Sequence, residues 1–265
     1  ATADDQINLD AGEYAEGPQI VVDKNLTIVG QGMASTTVRT TGNTGSSGDA
    51  RGWWLVQPGV DLDLSGMKLD GSGYNVHQGI RHLGTGTIDH VAFENISYPG
   101  YMGTAVAAMS YGGDINVLGS TFSNIGRIGV IYFGAGTTGL FEGNTYTGKG
   151  AVDRLDYAVE VGGGAVVEIR DNTITGNRGV ASSDGSTSAA ILVTSYYGDG
   201  TTANITENNI LTDNSYGVAI GYNAADTSVV TIDGATTAGN DAGVSIIGGT
   251  TSIANVNFDG STDNM

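Results

Sequence analysis

Two cations and three carboxylates crowd the stretch Lys149, Asp153, Arg154, Asp156, Glu160. Asp153 and Asp156 flank Arg154 in what reads as a turn leading into an Ala158-Val159 strand. The carboxylates there could hold a hard cation such as Ca²⁺, or simply pair with the guanidinium. A surface ion-pair turn is the commoner outcome of such a pattern. All three histidines, His77, His82 and His90, fall close together with Arg81 and Asp89 among them. They lack the i, i+4 spacing that puts two ligands on one helical face, and a strand corner would have to fold favourably to gather them for metal or acid–base work. Paired acids for glycoside hydrolysis, which must approach to within roughly 5–10 Å, could come from Asp61, Asp63 and Asp70 if adjacent strands bring them together. Tyr111, Tyr132, Tyr196, Tyr197 and Tyr222 recur near what read as strand ends. Exposed rings of that kind stack on sugar faces, whereas rings packed along a column are core.

What would position these groups is a repeat. A small residue followed by a β-branched or apolar one recurs at Gly79-Ile80, Ala105-Val106, Gly129-Val130, Ala158-Val159, Ala190-Ile191, Gly217-Val218 and Gly243-Val244, at spacings of about 24 to 32 residues. Trp54 and Ile20 extend the register upstream, which makes about nine coils. A second run per coil alternates apolar with polar residues at period two, as in Leu26-Thr27-Ile28, Leu62-Asp63-Leu64, Ile115-Asn116-Val117, Val167-Glu168-Ile169 and Val230-Thr231-Ile232. Such alternation sends one face into a core and the other to solvent. Helical spacing is absent throughout. Asn214 and Asn240, each four residues before the valine of its coil, are expected to take the left-handed bend of a tight corner.

The opening Ile7-Asn8-Leu9-Asp10-Ala11-Gly12-Glu13-Tyr14, followed by Pro18-Gln19-Ile20-Val21-Val22-Asp23-Lys24-Asn25-Leu26-Thr27-Ile28-Val29-Gly30, resembles the first coils of the pectate-lyase-like β-helix superfamily. The repeat carries that likeness through the whole chain. It implies an all-β fold, a single right-handed parallel β-helix domain over residues 1–265. Because the superfamily includes lyases, hydrolases, adhesins and surface-layer proteins, the likeness speaks to fold and leaves function open. Its lyases remove a sugar proton with an Arg or Lys base while Ca²⁺ neutralises the uronate carboxylate, and the stretch from Lys149 to Glu160 is the best local match. The Gly/Thr/Asn-rich, cysteine-free style also resembles the sheath and surface proteins of filamentous methanogenic archaea.

Composition narrows the partners. Only 14% of the 265 residues are charged, against roughly 25% in an average soluble protein, so few positions can face water as charged surface. The absence of cysteine excludes a disulfide framework, a thiolate metal site and a cysteine nucleophile. A net charge of −18 repels phosphate backbones and anionic headgroups, which argues against nucleic acid and membrane partners. It also disfavours polyanionic glycans unless Ca²⁺ bridges the carboxylates. No apolar stretch reaches membrane length. The small-residue start Ala1-Thr2-Ala3 and the sequons at Asn25, Asn95 and Asn204 fit a secreted, extracellular or cell-surface glycoprotein.

If the valines of the repeat point inward, the next residue of each coil points out. That outward column reads Leu55, Arg81, Ala107, Ile131, Glu160, Leu192, Ala219, Ser245, and the one two residues on includes Met109, Phe133 and Ile247. Both are unusually apolar for a solvent face, the usual mark of an interface. The ends, at Ile7 and Phe258, carry no readable capping helix, so strand edges are open to pairing. The insertions between residues 40 and 52 and between 180 and 188 are Gly/Ser-rich and hold no obvious catalytic group. Together these features read as a non-catalytic, cofactor-free structural protein that polymerises with itself into a sheath, surface layer or amyloid-like fibre. Ile7, Leu55, Met109, Ile131, Phe133, Leu192, Ile247 and Phe258 would then be its contacts. A polysaccharide-active lyase or hydrolase and a noncatalytic glycan-binding module are the alternatives.

Overall fold

The computed structural model describes residues 1–100 and 102–260. Each coil gives one strand to a nine-stranded parallel sheet whose order follows the chain from Ile20–Val22 to Ala242–Ile246. Its register pairs Ile20 with Trp54, Trp54 with Ile80, Ile80 with Val106 and Val106 with Val130. It continues through Val159, Ile191, Val218 and Val244. This is the ladder that the repeat predicts, coil for coil.

The period-two runs form a second stack, from Asp5–Asn8 through Leu62–Asp70 and Ile115–Leu118 to Thr250–Ala254. A third strand per coil goes unread in the sequence. Thr121–Ser123, Thr145–Thr147 and Thr173–Thr175 are three residues each, too short for any period to show. Leu62–Asp70 and Gly86–Glu94 run unbroken through both stacks and join them into one 17-stranded assembly. The sole helix among the described residues is the short 3₁₀ turn Gly48–Arg51, and no helix is long and apolar enough to cross a membrane.

One contiguous apolar core runs from Val22 to Val244, with Phe93 stacked on Phe122 at 5.1 Å along the coil axis. The small residue that opens each repeat has a steric reason. A Cβ at Gly129 would stand 2.5 Å from the Ala158 carbonyl oxygen and 2.8 Å from the Tyr146 ring, so this position at the start of the strand Ile128–Phe133 admits little side chain where one coil's backbone lies over the next.

The corner asparagines behave differently from expectation. Asn214 and Asn240 are buried, and the residues that bend into the left-handed region are those just before them, Asp213 at φ 55° and Gly239 at φ 64°. The asparagines instead stack. Asn214 donates its backbone N–H to the Asn240 side-chain oxygen at 2.8 Å, and Asn177 donates likewise to Asn214 at 3.0 Å. A second ladder joins Asn144, Asn172 and Asn209, whose amide nitrogens also cap the Val117, Phe141 and Ile169 carbonyls. A buried corner must satisfy backbone groups that no sheet reaches, and an amide side chain offers both a donor and an acceptor.

Candidate functional site

The outward face of the nine-stranded sheet is a groove. Its floor is the expected outward column, in which Ile131 pairs with Glu160 and Glu160 with Leu192. The loop over residues 181–187 forms one wall, and Tyr196, Tyr197 and Tyr222 form the other. The lobe between them encloses about 430 Å³. A second lobe of about 260 Å³, bordered by Arg51, His77, Met102 and Met109, continues toward the earlier coils. Arg127, Glu160 and Tyr197 line both. Both Gly/Ser-rich insertions therefore stand at the groove. The first brings Arg51 to its edge and Asp49 to Arg81, whose Nε donates to the carboxylate at 3.0 Å. The second is tied down where Ser182 donates its N–H and hydroxyl to Asp153, each at 2.7 Å.

Arg127 stands at the junction. It also borders a side pocket of about 320 Å³ with Asp153 and Arg154. Among the described residues its guanidinium pairs with no carboxylate: its contact is the Met102 sulfur at 3.8 Å, and its buried Nε has no partner. Glu160 lies on the floor, 7% exposed, between Ile131 and Leu192. Burial pushes its carboxyl above the ordinary range, against the opposing pull of Arg127. Glu160 is the one carboxyl lining either main lobe among the described residues. Beside it, Tyr157 donates its hydroxyl to the Thr187 carbonyl at 3.3 Å, and burial raises the Tyr157 phenol.

The tyrosine wall hangs on one carboxylate. Asp226 accepts from the N–H groups of Ser195, Tyr222 and Ser228 and from the Thr194 hydroxyl. Burial works to raise its pKa, but these hydrogen bonds outweigh burial and hold it below the ordinary value. The turns so fixed set Tyr196 edge-on to Tyr197 at 4.8 Å and to Tyr222 at 5.1 Å, with Tyr197 edge-on to Phe133 at 5.5 Å.

The five-residue cluster from Lys149 to Glu160 is divided among four places. Asp156 is fully buried, accepting from the Tyr146 hydroxyl and the Lys149 N–H and paired with Lys149 Nζ at 3.2 Å. Burial lowers the Lys149 pKa, against the opposing pull of Asp156. Asp153 anchors the groove loop, Arg154 borders the side pocket, and Glu160 alone reaches the main floor. Nor do the histidines gather. His77 lines the second lobe with its ring 4.9 Å from that of Tyr98, His82 faces the core with burial lowering its pKa to about 4, and His90 is exposed beside Asp89. No group of three or more His, Asp or Glu that could hold a metal forms among the described residues. Asp61 and Asp63 take hydrogen bonds from Thr85 and Thr87 on the second stack. Asp70 is buried with Asn95 and Arg39, so these acids are apart from the groove.

Of the expected contact residues, Leu55 is buried, while Met109, Ile131, Phe133 and Leu192 are half-buried on or beside the groove floor and Ile247 is exposed at its far end. Ile7 borders an apolar cavity of about 260 Å³ in the first coils, and Phe258 packs on Gly243 at the last. Tyr132 is core and Tyr111 is exposed. Of the sequons, Asn25 and Asn95 have engaged side chains, and Asn204 lies between Glu168 and Thr231 on the outward face of the second stack. Arg127 went unmarked in the sequence because it precedes its strand and belongs to no recurring column.

A family profile described as "Right handed beta helix region" matches residues 104–262. No curated protein matches the chain. Among solved structures, an alginate lyase of the PL6 family, AlyGC, aligns at 15% identity with a TM-score of 0.56, over 98% of this chain and 37% of that one. The A-module of the mannuronan C-5 epimerase AlgE4 from Azotobacter vinelandii aligns at 14% identity with a TM-score of 0.42, over 98% and 88%. At 15% identity the likeness to the lyase is one of fold, and with the family profile it agrees with the right-handed parallel β-helix expected from the repeat. The chain spans little more than a third of the lyase's length.

Proposed function

The chain belongs to the right-handed β-helix family, and from that premise we propose that the groove is the working site of a polysaccharide-active protein that handles a uronate-containing chain. The observation that carries this reading is that Arg127, a guanidinium in no ion pair among the described residues, and Glu160, a buried carboxyl of raised pKa, line the same walled, aromatic-lined cleft. An unpaired arginine suits a sugar carboxylate, which it binds and whose charge it neutralises. Neutralisation makes the proton on the adjacent carbon more acidic, and a carboxylate of raised pKa is a better base for taking it. The reaction class is elimination. Glu160 accepts the C5 proton, that electron pair forms the C4–C5 double bond, the C4–O bond breaks, and the leaving oxygen takes up a proton. Two-carboxylate glycoside hydrolysis fits less well, since neither main lobe has a second acid among the described residues.

Incubation with a panel of polyuronates, followed by the absorbance of unsaturated uronide ends, tests the reading. Glu160→Gln and Arg127→Gln are each expected to lower the rate by about 10²–10⁴-fold. Full activity in Glu160→Gln, or no product from wild type on any polyuronate, overturns it.

One observation supports association between copies as a second reading: the first coils leave an apolar cavity bordered by Ile7, Leu9, Tyr14, Ile20 and Trp54. An apolar face of a second copy seated there would cover these side chains. Sedimentation across a salt series tests it, with self-association expected to strengthen as salt screens the −18 charge. A chain that stays monomeric at every salt concentration removes it.

A further inference from the structure

The two lobes differ in chemistry. Toward the early coils the groove is cationic: Arg51 and Arg127 line it, and Arg81 lies in its floor column between Leu55 and Ala107. A chain with 10 Lys and Arg against 28 Asp and Glu has few cations to place, and these three share one face, Arg81 already paired with Asp49 and Arg51 and Arg127 lining the lobe itself. Beyond Glu160, toward the late coils, the lining carries no charged side chain among the described residues. There it includes Tyr196, Tyr216 and Tyr222 over Leu192 and Ala219, with Tyr197 shared between the lobes. Tyr196 and Tyr197 are each 61% exposed, although Asp226 holds the turn that bears them. Rings kept solvent-facing by a buried anchor form a platform rather than a collapsed cluster.

We propose that the late-coil lobe is a neutral-sugar subsite, so that the preferred ligand is a heteropolysaccharide in which a uronate is followed by uncharged residues. This rests on the groove reading above and specifies its substrate class. A uronate placed in the late lobe beyond Arg127 and Glu160 would exchange its hydration for a phenolic, uncharged wall whose lining offers no further cation for its carboxylate, which disfavours it. A neutral pyranose there loses no charge hydration and lays its C–H face on a ring. The early lobe has the opposite preference. The sugar order along the ligand is therefore set by the direction of the solenoid, with the acidic residue at Arg127 and the neutral ones toward Tyr222.

Calorimetric binding of three probes to the intact chain tests this, using Glu160→Gln so that nothing is turned over. The probes are an oligogalacturonate, a cello-oligosaccharide, and a gellan-type oligosaccharide in which glucuronate is flanked by neutral sugars. The mixed oligosaccharide is expected to bind at least about tenfold more tightly than either homopolymer fragment. Tyr196→Ala with Tyr222→Ala, the two exposed rings that line the late lobe and not the early one, should remove about tenfold of that affinity while leaving the oligogalacturonate unchanged. These rings are exposed, so the variant should keep its melting temperature. Equal binding of the mixed and all-acidic probes, or loss of both in the tyrosine variant, overturns the neutral subsite and leaves the groove reading standing. Unchanged binding of the acidic and mixed probes in Arg127→Gln, or no binding of any probe, overturns the groove reading itself.

Discussion

On the nine-stranded sheet the outward ladder runs Ala107, Ile131, Glu160, Leu192, Ala219, whereas on the second stack it runs Leu140, Glu168, Asn204, Thr231, Ser252. Both are built by the same parallel pairing over the same core. The second stack is what a solvated face of a β-helix requires: mostly short polar side chains, with Asn116 and Asp63 also reaching across to cap the next coil's N–H. The first departs from that rule over consecutive coils, and only there do insertions wall the face. The contrast teaches that an apolar outward column on a solenoid acquires meaning from what stands beside it. An unwalled column would be a sticky flank, while a walled one is a candidate site.

The comparison can be broken or sharpened by substitution, beginning inside both faces. Val218→Asp puts a charge between Ile191 and Val244 on the inner ladder, at a fully buried position. It should destabilise by on the order of 3–5 kcal/mol, and wild-type melting would mean that the inward and outward assignments are reversed. Asn172→Leu comes next. It removes an acceptor from the Asn144 N–H and a donor from the Phe141 carbonyl, a loss of about 2–3 kcal/mol in chemical denaturation.

Asp226→Asn acts only on the groove side. Three N–H groups and a hydroxyl lose a charged acceptor, so stability should fall by about 1–2 kcal/mol. Because hydrogen bonding holds the folded pKa below 3.8, the wild-type contribution is fully present above that value and is lost as pH falls through the folded one. The variant should therefore approach wild type in acid. Glu160 has the reverse sign. Its folded pKa is raised above 4.5, so the folded state holds the proton more tightly and stability falls as pH climbs from that value through the folded pKa. Glu160→Gln is expected to raise the melting temperature at pH 7 while removing the proposed elimination activity, and to match wild type below that window. A variant less stable than wild type at neutral pH would show that Glu160 has a structural partner. The smallest effect belongs to the solvated face: Thr231→Ala should stay within about 0.5 kcal/mol of wild type, and a larger loss would mean that this ladder, too, is covered.

The coil number, the inward ladder from Ile20 to Val244 and the identity of the outward column were all legible in the sequence. They rest on period-two alternation and a fixed repeat, which are local properties of the chain. From Thr121 onward the third strand is three residues long and was not legible, because a period needs more residues than that to show. The asparagine ladders were mistaken for bends, since sequence alone cannot tell whether an amide turns its own backbone or caps the next coil's.

The candidate site divides along the same line. Glu160 stood out in a charged stretch, but its four companions were marked by proximity in sequence, and a corner sends neighbouring residues to opposite sides of the sheet. Lys149 and Asp156 went inward, Asp153 to a loop and Glu160 to the floor. What the sequence determined by itself is the solenoid and which side chains face out of it, because both follow from local periodicity. The tertiary structure alone decided that Arg127, Glu160 and the tyrosines of later coils share one groove. That meeting depends on how far each insertion stands from the stack, and no spacing along the chain encodes it.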